Sequence, residues 1–226
     1  MDSGADQASD DGLGDAPIDV IEDPAGRWRV TLGARAIDTG ALGAWVVLPS
    51  CGAVVTFTGT TRDHAPDPAG GLRTGIGRLD YEAYETEALA RMAKVAATTC
   101  ERWPTVGRVE IAHRLGPVGL GEASVVVAVS AAHRDGAFEA ARFAIDTVKA
   151  TVPIWKREEW DGGSDWAGGA VAVTSLSAAP GQGDVIASAT DPAFAAGASM
   201  SDTGAHQRAS GDPVQGGERS TPGVPA

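Results

Sequence analysis

Only three of the eighteen Lys and Arg residues in this 226-residue chain are lysines, and two of them, Lys149 and Lys156, lie seven apart across Pro153. The distribution matters because Arg keeps its proton in a protein, whereas Lys is readily tuned into a general acid, base or nucleophile. Lys149 falls near the end of a predicted helix and Lys156 early in the strand that follows, so a turn at Pro153 would bring the two amines together. That crowding predicts partial burial of Lys149. The same placement also suits a helix C-terminal cation stabilised by the macrodipole and a solvated strand lysine. His133 and Arg134 follow an apolar strand and precede a helix, a position that offers free backbone N–H groups to an anion while both side chains add charge-assisted hydrogen bonds. Alternatively, Arg134 pairs with Asp135 or Glu139 and His133 is partly buried. Arg62 opens a loop after a strand and is placed either to clamp a phosphate or to sit on the surface beside Asp63. His113 and Arg114, mid-strand, read as structural, and Trp155, Trp160 and Trp166 as core or interface.

The elements that must hold these residues follow from periodicity. A strand is expected over 27–32 and a short helix over 39–48. The β-branched run at 52–59 reads as a buried strand, and 60–76, rich in Gly, Pro and Asp, as a long mobile loop. A strand over 78–84 leads into a helix over 85–103, with Leu89, Met92 and Ala96 on one face and Pro104 closing it. Strands at 106–115 and 123–131 form a hairpin-like pair joined by a turn at 116–121. A third helix begins near Asp135, carries Phe138, Ala141, Ile145 and Val148 on one face, and ends before Pro153. Strands over 154–160 and 166–173 close the domain. Strands and helices mix without a regular βαβ repeat, which predicts an α+β fold with a mixed, largely antiparallel sheet.

Of the formal net charge of −12, −8 falls on residues 1–24 and −3 on residues 175–226, which leaves −1 for the span between. The acidity belongs to the ends, and no basic face for nucleic acid remains. Residues 1–17 and 175–226 lack apolar periodicity and are expected to be disordered, so a single domain is expected over 18–174. No basic n-region or long apolar run suggests export or membrane insertion, and the chain reads as cytoplasmic. Cys51 and Cys100 lie outside any CxxC or Cys/His spacing and read as reduced, small apolar residues. No Gly-rich phosphate motif, metal cluster or nucleophile elbow is present. The residues alone therefore point to an α+β domain with an anion site built from Arg62, His133, Arg134, Lys149 and Lys156.

Six ordered pieces go further. They are Gly52-Ala-Val-Val-Thr-Phe-Thr-Gly-Thr-Thr-Arg62, Leu79-Asp-Tyr-Glu-Ala-Tyr84, Arg102-Trp-Pro104, Ile111-Ala-His-Arg-Leu-Gly116, Ser130-Ala-Ala-His-Arg-Asp-Gly-Ala-Phe-Glu-Ala140 and Val148-Lys-Ala-Thr-Val-Pro-Ile-Trp-Lys-Arg-Glu158. Together, over residues 50–166, the sequence resembles the molybdopterin synthase catalytic subunit family. The resemblance implies an α/β hammerhead fold and a homodimer that binds a small ubiquitin-like sulfur carrier at each end, as a heterotetramer. Sulfur would pass from the carrier's C-terminal Gly-Gly thiocarboxylate to cyclic pyranopterin monophosphate, in two rounds, with no metal or other cofactor. Carried over position by position, Thr60, Thr61, Arg62, His133, Arg134, Lys149, Lys156, Arg157 and Glu158 match substrate-binding positions, and Lys149 and Lys156 the catalytic ones. Family members often carry a basic residue after the final Trp, where this chain has Ala167-Gly-Gly-Ala170. A non-catalytic scaffold that binds the carrier or a pterin phosphate is the alternative from another class.

Overall fold

The computed structural model describes residues 18–67 and 69–167. Fourteen elements run along these residues. They are β1 (Ile18–Glu22), β2 (Trp28–Gly33), α1 (Thr39–Val46), β3 (Ala53–Thr60), β4 (His64–Pro66), β5 (Leu72–Thr74), β6 (Ile76–Ala83), α2 (Glu85–Arg102), β7 (Val106–Arg114), β8 (Gly116–Gly119), β9 (Ala123–Ala131), α3 (Arg134–Thr151), β10 (Ile154–Trp160) and β11 (Gly163–Trp166). The fold is α+β, with the mixed and largely antiparallel pairing expected.

The first sheet has the order β1-β2-β7-β9-β3, and within it only the β2–β7 pair is parallel. β7 and β9 are its centre because their sequences, Val-Gly-Arg-Val-Glu-Ile-Ala-His-Arg and Ala-Ser-Val-Val-Val-Ala-Val-Ser-Ala, bury nearly every residue on both faces. On one face Val109, Ile111, Val125, Val127 and Val129 meet α2 and α3. The helices present Met92, Val95 and Ala96 from α2, and Ala137, Ala140, Ala141, Ala144, Ile145 and Val148 from α3. The alanines let α3 approach the sheet closely, since little side chain separates helix from strand. On the other face α1 seats Leu42 against Ala112 and Val126. There Trp45 lies between the guanidinium groups of Arg29 and Arg108, 4.5 and 4.7 Å from its ring centroid. Arg29 also reaches the buried carboxylate of Glu110 at 2.7 Å, against burial that pushes that carboxyl's pKa up.

A second sheet, β11-β10-β6-β8, is antiparallel throughout. β8 ties the two sheets together. It is the segment read as a plain turn between β7 and β9, and it pairs instead with β6, Val118 opposite Leu79.

Other expectations are corrected. The span 60–76 holds the β4–β5 hairpin, with His64 opposite Thr74 and Ala65 buried against Ile76 and Leu79. Its turn is made by Gly70 and Gly71 at φ 98° and 93°, a region that disfavours other residues. β3 is an edge strand, half-buried on alternate residues, and not fully buried. Phe138 is 62% exposed, because the buried stripe of α3 runs through the neighbouring alanines instead. The closing strand ends at Trp166, so the expected strand at 166–173 lies mostly outside the described residues. β1, which alternation did not reveal, is exposed at every position. The domain boundary expected at 174 and both end segments also fall outside the described residues.

Candidate active site

The end of β3 is shaped by Gly59. A Cβ there would come within 2.7 Å of a Val125 methyl, so a larger residue would force Val125 or the strand to move, and the register shifts just beyond it, between Gly59 and Thr60. Beyond the shift the chain leaves the sheet. Thr61 is held by backbone bonds to Glu122 and Gly121, and its buried hydroxyl donates to the Val118 carbonyl at 3.4 Å. Thr61 is thus buried with its hydroxyl engaged, while Thr60 and Arg62 are exposed on either side.

The start of α3 presents His133 and Arg134 to solvent. His133 is the N-cap by backbone geometry without a side-chain cap bond, and Asp135 stands in the first turn. Arg134 lies 3.6 Å from Asp135, both largely exposed, so the local ion pair among the two readings is present. Such an exposed pair contributes little to stability and leaves the guanidinium available.

At the other end of α3, Lys149 occupies the last turn. It is exposed, not partly buried, and its Nζ stands 5.5 Å from the centroid of the Phe57 ring on β3. Arg91 of α2 donates to the Thr151 carbonyl at 3.0 Å and fixes the helix end. Val152 caps the helix, and Pro153 turns the chain into β10.

β10 sorts its charged residues by strand alternation. Arg157 faces one way, 2.9 Å from Asp80 on β6 and 3.4 Å from Glu159. The Asp80 hydrogen bond raises its already high pKa. Lys156 and Glu158 face the other way. The side chain of Glu158 is 4% exposed, with one carboxylate oxygen 3.3 Å from Lys156 Nζ and the other 3.3 Å from Arg73 on β5. Arg73 also lies 3.6 Å from Asp67 and 4.2 Å above the centre of the Trp160 ring. Lys156 itself is exposed. Lys149 and Lys156 thus have different partners, an aromatic face for one and a buried carboxylate for the other.

His113 and Arg114 prove structural in their contacts. Burial lowers the His113 pKa to about 4, and the neutral ring lies edge-on to Tyr81, its Nδ1 2.9 Å from the Arg114 carbonyl. Arg114 is buried and donates to Glu122 at 3.0 Å. Both cysteines are free, Cys100 buried and its thiol pushed up to about 11 by that burial.

Arg73 was missed by sequence reasoning, since the segment 63–75 read as a loop. The available signal was a lone Arg between apolar and β-branched neighbours, Leu72 and Thr74, after a Gly-Gly turn.

A model of the MoaE protein family matches residues 32–151, just over half of the chain. The chain belongs to the MoaE family. The match takes in Thr60, Thr61, Arg62, His133, Arg134 and Lys149, and ends before Lys156, Arg157 and Glu158. Among relatives, a molybdopterin synthase catalytic subunit 1 of Aedes aegypti is 42% identical over 133 residues, 58% of this chain and 82% of its own length. A molybdopterin synthase catalytic subunit of Drosophila mojavensis is 44% identical over 125 residues, 55% of this chain but only 32% of the longer fly protein. In three dimensions the chain is similar to a molybdopterin synthase from Staphylococcus aureus. The TM-score is 0.53 at 35% identity, over 61% of this chain and 96% of that one.

Proposed function

We propose that this MoaE-family chain transfers sulfur from the C-terminal thiocarboxylate of a small ubiquitin-like carrier to cyclic pyranopterin monophosphate in the cytoplasm, giving molybdopterin for molybdenum cofactor assembly. It works as a homodimer within a heterotetramer, one carrier at each end. In each round the thiocarboxylate sulfur forms a C–S bond to a pterin side-chain carbon as a C–O bond there breaks, the oxygen staying with the phosphate when the cyclic ester opens in one round and leaving as water in the other. Water then cleaves the acyl–sulfur bond, so the sulfur stays on the pterin and the carrier leaves as an ordinary carboxylate.

The observation that carries this reading is the pair of exposed amines, Lys149 and Lys156, on rigid elements either side of Pro153 in a MoaE-family chain. Both reactants are anions, so Arg62, Arg134 and the two ammonium groups supply the cations that binding needs, with His133 beside them as a hydrogen-bonding group. Thr60 adds a hydroxyl at the mouth of β3. Lys149 and Lys156 then move protons as the phosphate ring opens and the acyl–sulfur bond is hydrolysed. Thr61 and Glu158 act through their neighbours, since their polar groups are committed to Val118 and to Lys156 with Arg73, while Arg157, held at Asp80 and 36% exposed at its side chain, stays among the substrate-binding groups.

Mixing the purified chain with thiocarboxylated carrier and cyclic pyranopterin monophosphate tests the reading. The expected result is the dithiolene product. Binding of carrier or pterin without any product would favour a non-catalytic scaffold.

A further inference from the structure

We infer that Arg73, on the β4–β5 hairpin, is a positioning residue for Lys156 and acts through Glu158. The inference rests on the proposed sulfur transfer and adds to it a residue outside the motifs that carry the family resemblance. Glu158 is a two-sided bridge: its Oε1 meets Lys156 Nζ at 3.3 Å and its Oε2 meets Arg73 Nη1 at 3.3 Å. Buried carboxylates in folded proteins are paired, and this one has a cation on each oxygen. Lys156 is 42% exposed at its side chain and faces solvent, while Arg73 is 11% exposed and packed in.

Arg73 is fixed from every side that could hold it. Its guanidinium carbon lies 4.2 Å from the centre of the Trp160 ring, with Asp67 at 3.6 Å from its own hairpin and Asp165 at 3.9 Å from β11. Because Arg cannot give up its proton, this side of the bridge is permanent. The chain of contacts therefore runs from hairpin to Arg73, to Glu158, to the amine of Lys156. Removing Arg73 takes away the fixed side of the bridge and leaves Glu158 held only by the solvent-facing amine, so the carboxylate can turn and Lys156 loses its orientation.

The test uses the full chain and the variants Arg73→Gln, Arg73→Lys, Glu158→Gln and the Arg73→Gln/Glu158→Gln double, with melting curves confirming that each is folded. Turnover and KM for the pterin are measured with thiocarboxylated carrier. Separately, acetylation of Lys156 by an amine-reactive reagent is followed by mass spectrometry against Lys94 as internal standard. Arg73→Gln should lower kcat about tenfold, the scale of one charge-assisted hydrogen bond, with KM little changed. Arg73→Lys should recover much of the loss, and the double variant should be no worse than Glu158→Gln alone. Lys156 should be acetylated faster in Arg73→Gln and in Glu158→Gln. Unchanged Lys156 reactivity in a folded Arg73→Gln would overturn the inference, whether or not the wild type turns over, and so would fully additive losses. A wild type that makes no product, with Lys156 reactivity shifting as expected, would instead sink the sulfur-transfer reading and leave the bridge standing.

Discussion

Lys149 of α3 holds its amine 5.5 Å from the centre of the Phe57 ring on β3, so a helix end and an edge strand together set the direction of one cation. The aromatic face attracts the ammonium without giving it a hydrogen-bond acceptor, which leaves its protons for a substrate. Arg at this position would keep the charge and give up proton transfer. Lys149→Arg is therefore expected to bind the pterin phosphate with little loss while turnover falls by ~10²–10⁴-fold, the range for losing a general acid–base group. Product formation per site and substrate affinity, measured for wild type, Lys149→Arg and Lys149→Ala, decide it. Near-normal turnover of Lys149→Arg would reduce the lysine to a positive charge.

Sulfur delivery by a carrier's C-terminus predicts strict dependence on that terminus being free. A carrier extended by a single residue beyond Gly-Gly has no thiocarboxylate at the position where Lys149 and Lys156 are proposed to act. It should support no measurable transfer, and unimpaired turnover with it would contradict the proposed delivery.

Stability should depend on pH through His113. Its ordinary value of 6.5 falls to about 4 in the fold because burial penalises the charged ring. As pH drops, the unfolded chain takes up a proton near 6.5 while the folded chain does so only near 4. The stability present above pH 6.5 is thus lost progressively down to about 4, by something on the order of 3 kcal/mol. Denaturant titrations at pH 7 and pH 4.5 should show the loss in the wild type and a smaller one in His113→Phe. Parallel losses in the two proteins would remove His113 from the explanation.

The hydrophobic clusters draw on residues from Trp28 to Trp160. Residues 1–17 and 176–226 have compositions too polar and aperiodic to add to them. Deleting both segments should leave the melting temperature and turnover nearly unchanged. A large drop in melting temperature would place part of the folding unit in one of them.

What the sequence revealed followed the strength of its periodicity. α2, α3, β7 and β9 are long and bury a face or both, so spacing alone located them. β1 escaped because Ile18–Glu22 buries nothing, and β4 and β5 because three residues carry no period. Gly116-Pro-Val-Gly reads as a turn by its chemistry, and only the presence of β6 alongside makes it a strand. In α3 the apolar spacing of Phe138 was real, yet alanines one position away meet the sheet and leave the ring outside. The site divided in the same way. Residue type picked out the two lysines, while the committed roles of Thr61 and Glu158 depend on partners 57 and 85 residues away, Val118 and Arg73, which no local pattern shows.

The parallel seam between β2 and β7 has a consequence for how the chain is made. β2 ends at Gly33 and its partner does not begin until Val106, while β3 pairs, among the described residues, only with β9 at Ala123–Ala131. During synthesis the first hundred residues therefore leave the ribosome with β1 and β2 able to pair and β3 unpaired, its neighbour β9 still untranslated. Such long sequence separations slow folding and expose strand edges meanwhile. The emergence of β7 to β9 sets the moment at which the N-terminal half, Arg62 included, can take its native place.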